Sequence, residues 1–279
     1  MYLNLDAQFS PFGIQHSIQF ESFTFSGGEP HLKITEDLSS IQAVTVTHRI
    51  RSFNDIGLLL LAVDALKRCG VSQIDLFLPY FPAARQDRIM VPGESLSVKV
   101  YADIINSMQL HSVAIFDAHS EVSIALLNRC KAISNHRFIQ EVLQKTGDLT
   151  LLSPDGGALK KIYKLSAYLG GVEVVECSKS RDVKTGKLSG FKVYTDDLQG
   201  RDCIIIDDIC DGGGTFMGLA TALKQKNVGK LYLAVSHGIF SKGFDDLAQY
   251  FDAIFTTDSF RTIQSIPKVH QMPLGPDIL

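Results

Sequence analysis

The chain has no C-x-x-C pair, no stretch of ~20 apolar residues, no basic start leading into an apolar run, and no low-complexity segment or short-period repeat. Each absence removes a class. Cys69, Cys130, Cys177, Cys203 and Cys210 lie in apolar or helical contexts without paired spacing, which argues against a zinc site and for buried thiols in a reducing compartment. With neither a signal segment in Met1–Ser10 nor a span-length run, a cytoplasmic protein without a membrane partner is expected. A net charge of −3, both signs being spread along 279 residues, argues against a nucleic-acid partner. What is present is 45% hydrophobic residues, enough for a substantial core in one large or two modest domains.

Short apolar runs alternate with helical patterns, which predicts α/β architecture with mostly parallel sheets flanked by helices. In the first half, strands are expected over 41–47, 74–78 and 112–116, and helices over 54–69 and from about 95. In the second, strands are expected over 149–153, 172–177, 203–206 and 231–236, with a helix over 156–169. The polar stretch Arg181–Gly190 is expected to be a mobile loop. Both halves hold a strand that runs into an acid, Asp117 in one and Asp207–Asp208 in the other. Two similar domains are expected, 1–142 and 143–279, with ligands at the carboxyl ends of the strands.

The most informative segment is C-I-I-I-D-D-I-C-D-G-G-G-T, Cys203–Thr215. An apolar strand meets Asp207 and Asp208; then come Asp211, three glycines and Thr215, and a helix with Phe216, Leu219, Ala220 and Leu223 on one face. Gly212, Gly213 and Gly214 let successive N–H groups wrap an anion at the helix N-terminus, and the acids can hold sugar hydroxyls or a magnesium ion. No Gly-Lys-Ser/Thr follows and the G-x-G-x-x-G spacing is missing, so neither a Walker loop nor a dinucleotide fingerprint is present. A phosphate site beside a hydroxyl or metal site suits a sugar phosphate.

The segment resembles the phosphoribosyl pyrophosphate loop shared by phosphoribosyltransferases and phosphoribosyl pyrophosphate synthetases. Further motifs, in family order, favour the synthetases. Pro79–Arg88, P-Y-F-P-A-A-R-Q-D-R, resembles the family's P-Y-x-x-Y-A-R-Q-D-R, which implies that Arg85, Gln86, Asp87 and Arg88 hold ATP. Asp117-Ala-His119-Ser-Glu121 resembles D-L-H-x-E and implies that His119 serves magnesium, the ATP phosphates and catalysis. Ser153-Pro-Asp155-Gly-Gly157 resembles S-P-D-x-G-G, implying a metal-diphosphate role for Asp155, although a helix-start turn is an equally simple reading of those residues. Lys179 and Arg181 resemble the start of the family's catalytic loop, which implies transition-state stabilisation. Phe25-Ser-Gly-Gly-Glu29 resembles F-x-D-G-E, implying adenine contacts by Phe25 and Glu29 and a homo-oligomer, dimer to hexamer, in which this segment reaches a neighbouring subunit's nucleotide.

The resemblance implies two phosphoribosyltransferase-like domains and Mg²⁺-dependent transfer of the ATP βγ-diphosphate to a ribose 5-phosphate compound, releasing AMP. Asp207 and Asp208 would take ribose hydroxyls, and Asp211, Gly212, Gly213, Gly214 and Thr215 the 5-phosphate. Three positions depart from the family pattern: Gly27 stands for its aspartate, Ala158 for a glycine, and Gly212 for the threonine of D-T-G-G-T. The last removes a hydroxyl and opens space beside the phosphate, which admits ADP-ribose as a second candidate acceptor. The glycine loop is also compatible with a phosphoribosyltransferase, and the nucleotide motifs with a non-catalytic regulatory homologue that only binds.

Overall fold

The computed structural model describes residues 1–13, 17–181 and 188–279, with the backbone alone at 180–181 and 188–189. Its contacts divide into two compact units, Met1–Ser134 with Leu274–Asp277 and Leu279, and Asn135–Pro273 with Ile278.

The first unit contains β1 (Tyr2–Asn4), β2 (Phe20–Thr24), β3 (Pro30–Ile34), β4 (Ala43–Thr47), α1 (Phe53–Arg68), β5 (Gln73–Leu78), α2 (Ser97–Ser107), β6 (Ser112–Phe116), α3 (Glu121–Leu126) and β7 (Cys130–Ile133). Its five-stranded sheet runs β1-β4-β5-β6-β7 with every pairing parallel, while β2 and β3 form a separate antiparallel hairpin. The local sequence explains where α1 starts and stops. Ser52 accepts from the Asp55 N–H while the Asp55 carboxylate accepts from the Ser52 N–H, and Lys67 and Arg68 favour the negative end of the helix dipole. Its Leu59, Ala62 and Leu66 are fully buried in one core with Val44, Val46, Ile74 and Leu76. Leu59→Ala would cost about 2–5 kcal/mol.

The second unit contains α4 (His136–Thr146), β8 (Thr150–Ser153), α5 (Leu159–Tyr168), β9 (Val174–Arg181), β10 (Leu188–Val193), β11 (Cys203–Cys210), α6 (Gly214–Lys224), β12 (Leu231–Gly238), α7 (Asp245–Tyr250), β13 (Ala253–Thr257) and β14 (Val269–Met272). The contact division falls ahead of α4, so that whole helix counts with this unit. The sheet runs β10-β9-β8-β11-β12-β13-β14, parallel except for the antiparallel β9–β10 edge. Cys203–Ile206 are at most 1% exposed, as a central parallel strand covered on both faces requires. Phe216, Leu219, Ala220 and Leu223 are buried as their spacing predicts, which seats α6 on the core.

Two expectations need correction. The strand expected to end at Ile206 continues to Cys210, with Asp207 opposite Val235, Ile209 opposite His237 and Cys210 opposite Gly238. The unbroken buried run Leu231–Gly238 supplies a backbone partner past the point where apolar side chains stop on β11. Second, not all thiols are buried. Cys177, Cys203 and Cys210 are, but Cys69 caps α1 in an exposed position and Cys130 is half-buried. Residues 182–187 of the stretch expected to move lie outside the described residues.

Candidate functional site

In the first unit β5 and β6 are parallel neighbours, so the loops after them leave the same sheet edge. The apolar half of P-Y-F-P-A-A-R-Q-D-R is core: Tyr80, Phe81 and Ala84 are buried, which anchors the loop and leaves Arg85, Gln86 and Arg88 towards solvent. Ala83 adopts φ +55°, and its carbonyl accepts from the Gln86 N–H at 2.8 Å. After β6, buried Asp117 adopts φ +38°, a left-handed conformation that costs about 1–3 kcal/mol in a non-glycine residue. Its N–H donates to the Ile133 carbonyl at 2.8 Å, which helps hold that turn.

Asp87 joins the two loops. Arg88 Nε lies 3.1 Å from Asp87 Oδ1. Burial favours the protonated carboxyl, but the hydrogen bond from Arg88 and the charges of Arg88 and His119 outweigh it and hold Asp87 below its ordinary value. His119 therefore sits in the electrostatic reach of Asp87 in the arginine loop. Phe25 and Glu29 lie elsewhere in the unit, at the turn of the β2–β3 hairpin, where the Phe25 N–H donates to the Glu29 carbonyl at 2.9 Å. Phe25 is 52% exposed and forms an aromatic group with Phe23 and His31, with ring centroids 4.8 Å and 5.7 Å from its own. A β-carbon at Gly27 would stand 2.5 Å from Glu29 Oε2, so the Glu29 carboxylate covers the place where a longer residue at 27 would begin.

In the second unit the β8–α5 turn presents Asp155. Its Oδ1 accepts from the Gly157 and Ala158 N–H groups at 2.9 Å and 3.1 Å, and its Oδ2 pairs with Lys179 Nζ at 2.5 Å. Burial pushes the carboxyl up, and Lys179 together with these backbone donors pulls it below its ordinary value. Two expected site residues are thus partners of each other. The side chain of Arg181 lies outside the described residues.

β11 delivers Asp207 and Asp208 to the glycine loop. Burial, the Asp208 charge and then the Asp155 charge push the Asp207 carboxyl well up, while the Asp208 N–H donates to Asp207 Oδ1 at 2.9 Å. The loop turns at Gly213, φ +75°, directly before α6; a β-carbon there would meet Leu247 Cδ2 at 3.0 Å, so glycine is required for conformation and for space. The first-turn N–H groups of α6 have no partner inside the helix and a positive dipole behind them, which suits an anion. Cys210 is no nucleophile: burial, then Asp207 and Asp211, push its thiol up to about 12.

Sequence reasoning missed what fixes this loop from the other side. After β12 the chain folds back: the Ile239 and Phe240 N–H groups donate to the Cys210 carbonyl at 2.9 Å and 3.1 Å, and the Ser241 N–H to the Asp211 carbonyl at 3.1 Å. A buried polar network supports it, with His237 Nδ1 2.8 Å from Ser259 Oγ and the Ser259 hydroxyl donating to the Ser236 carbonyl. The available signal was the Ser236-His237-Gly238 run ending a strand that begins Leu231-Tyr232-Leu233-Ala234-Val235.

Comparison with known proteins bears on both units. Residues 13–108 match the model of the N-terminal domain of ribose phosphate pyrophosphokinase, and residues 126–270 match that of the phosphoribosyl transferase domain. The ribose-phosphate pyrophosphokinase of Aquifex aeolicus is 30% identical over 227 residues, covering 78% of this chain and 71% of that protein. That of Thermococcus kodakarensis is 27% identical over 94% of this chain and 91% of its own length. The crystal structure of phosphoribosylpyrophosphate synthetase from Mycobacterium smegmatis superposes with a TM-score of 0.80 at 22% identity, over 92% of this chain and 87% of that one, a likeness of fold.

Proposed function

The chain belongs to the ribose-phosphate pyrophosphokinase family, a family of diphosphate-transferring enzymes, and on that premise we propose that it transfers the βγ-diphosphate of Mg-ATP to the anomeric hydroxyl of a ribose 5-phosphate unit. A bond forms between that oxygen and the β-phosphorus, the bond from the β-phosphorus to the α,β-bridging oxygen breaks, AMP leaves, and the hydroxyl proton passes to solvent. The observation that carries this reading is the strand that presents Asp207 and Asp208 immediately before a helix opened by left-handed Gly213. Few folds offer hydroxyl acceptors and an anion cradle within nine residues of one loop.

Asp207 and Asp208 accept from ribose hydroxyls, and Asp211–Thr215 seat the 5-phosphate on backbone N–H groups. Arg85, Gln86, Asp87, Arg88 and His119 hold the ATP polyphosphate; the guanidinium groups bind phosphate oxygens bidentately. Lys179 leaves Asp155 for the migrating diphosphate as charge builds there, and Arg181 joins it, so that positioning and electrostatics supply the catalysis. Phe25 and Glu29 take the adenine across a homo-oligomer interface.

Magnesium fits the residues. The crowded carboxylates that push Asp207 up are the kind of charge a cation relieves, and hydrated Mg²⁺ needs few protein ligands beside substrate phosphates. His119 in the first unit and Asp155 in the second are each of a type that would serve it, and when bound it would neutralise the migrating diphosphate.

Product analysis tests the reading. Incubated with Mg-ATP and ribose 5-phosphate or ADP-ribose, the protein is expected to give AMP and an acceptor diphosphate ester. ADP alone, or no turnover with either sugar, would overturn it. One observation bears on ADP-ribose as acceptor: Gly212 stands where the family motif carries threonine, and the stem of Lys242 lies in the space a side chain there would take.

A further inference from the structure

Gly212 leaves space beside the phosphate loop, and another residue fills it. A β-carbon at 212 would stand 3.5 Å from both Cδ and Cε of Lys242. A methyl would fit at that distance, whereas the γ atoms of a branched residue such as threonine would enter the volume of the lysine stem. The chain around Lys242 is fixed: the neighbouring Ser241 N–H donates to the Asp211 carbonyl at 3.1 Å, and Gly243 turns with φ +78°. Lys242 is exposed, and among the described residues no carboxylate lies within ion-pairing distance of its ammonium. Residues 207–215 and 239–243 together carry three acids, Asp207, Asp208 and Asp211, against a single cation, Lys242.

This charge balance bears on the acceptor. A monophosphate sugar is served by the backbone N–H groups of the loop and the first turn of α6. An acceptor with a second phosphoryl group on its 5-phosphate brings further negative charge to a loop that already carries acidic side chains, and is served by a cation beside the loop. Resting on the reaction proposed above, we propose that Lys242 is a specificity-determining residue: it holds the second phosphate of a diphosphate-linked acceptor of the ADP-ribose class, and Gly212 is small so that Lys242 can lie there. The pair reads as one unit, since a branched side chain at 212 would displace the lysine stem.

The test measures binding and turnover separately. Isothermal titration of wild type, K242A, K242R and G212T with ADP-ribose and with ribose 5-phosphate gives the ratio of the two Kd values. K242A and G212T are expected to shift that ratio about tenfold against ADP-ribose, the size of one charge-assisted hydrogen bond, and K242R to restore most of it. A ratio unchanged in K242A, or both acceptors weakened equally, would overturn the assignment. AMP formation is followed in parallel. No AMP with either sugar, with the Kd ratio still moved by K242A, would sink the diphosphoryl-transfer reading and leave Lys242 as the acceptor's phosphate contact.

Discussion

Asp87 and Asp207 are the same residue type, one in the loop that follows β5 and the other inside β11, yet their surroundings move them in opposite directions. Asp87 is held down because Arg88 bonds it and the charges of Arg88 and His119 act on it; Asp207 is pushed up because burial and Asp208 crowd it. The first unit offers cations around an acid already compensated, an arrangement for a polyphosphate. The second offers crowded acids beside a helix N-terminus, an arrangement for hydroxyls, a phosphate and a cation. Asp155 stands between these cases in chemistry: it is half-buried like Asp207 but compensated by Lys179, as Asp87 is by Arg88.

The strongest way to sharpen the contrast is to remove the cation that pairs with Asp155. Lys179→Ala should lower kcat by about 10²–10³-fold while ATP affinity stays within a few-fold, as single-turnover kinetics and equilibrium binding would show. Equal losses in both would mean that Lys179 only anchors the nucleotide.

Asp207→Asn should reduce acceptor kcat/KM by about 10²-fold. The same change should raise the Tm of the ligand-free protein. The folded carboxyl titrates above 3.8, so from that value up to its raised pKa the folded state keeps a proton the unfolded chain releases, and stability falls as pH rises through the window. The Tm gain of the asparagine variant should be absent below the window and grow across it. A gain that is flat with pH would break the contrast with Asp87.

Arg85→Ala and Arg88→Ala should each raise the KM for ATP about tenfold and leave that for the sugar acceptor nearly unchanged, since they belong to the polyphosphate side. Arg88→Ala should also raise the Asp87 pKa, readable by NMR titration. The smallest effect is expected at Gly213→Ala, where a left-handed φ and the Leu247 contact cost about 1–2 kcal/mol of stability, measured by urea unfolding, with a few-fold loss in acceptor affinity.

Much of the family's motif pattern was legible along the chain because it is local. The glycine loop, the double acid, the arginine loop and the helical face Phe216–Leu223 each need only neighbours in sequence to declare their type. The hairpin that bears Phe25 and Glu29 was not legible, because β2 and β3 are short and mostly exposed and carry no buried alternation. The extension of β11 to Cys210 was missed for a related reason: polar side chains hide a backbone pairing that β12, over twenty residues later, supplies.

By itself the sequence determined the residue types at each loop, their order, and the α/β pattern that puts loops at the carboxyl ends of strands. Tertiary structure alone decided that Lys179 rests on Asp155, that Asp87 is compensated while Asp207 is crowded, and that Lys242 lies against Gly212. The physical reason is that a charge takes its pKa and its partner from whatever the fold brings within a few ångströms. Spacing along the chain carries no record of that.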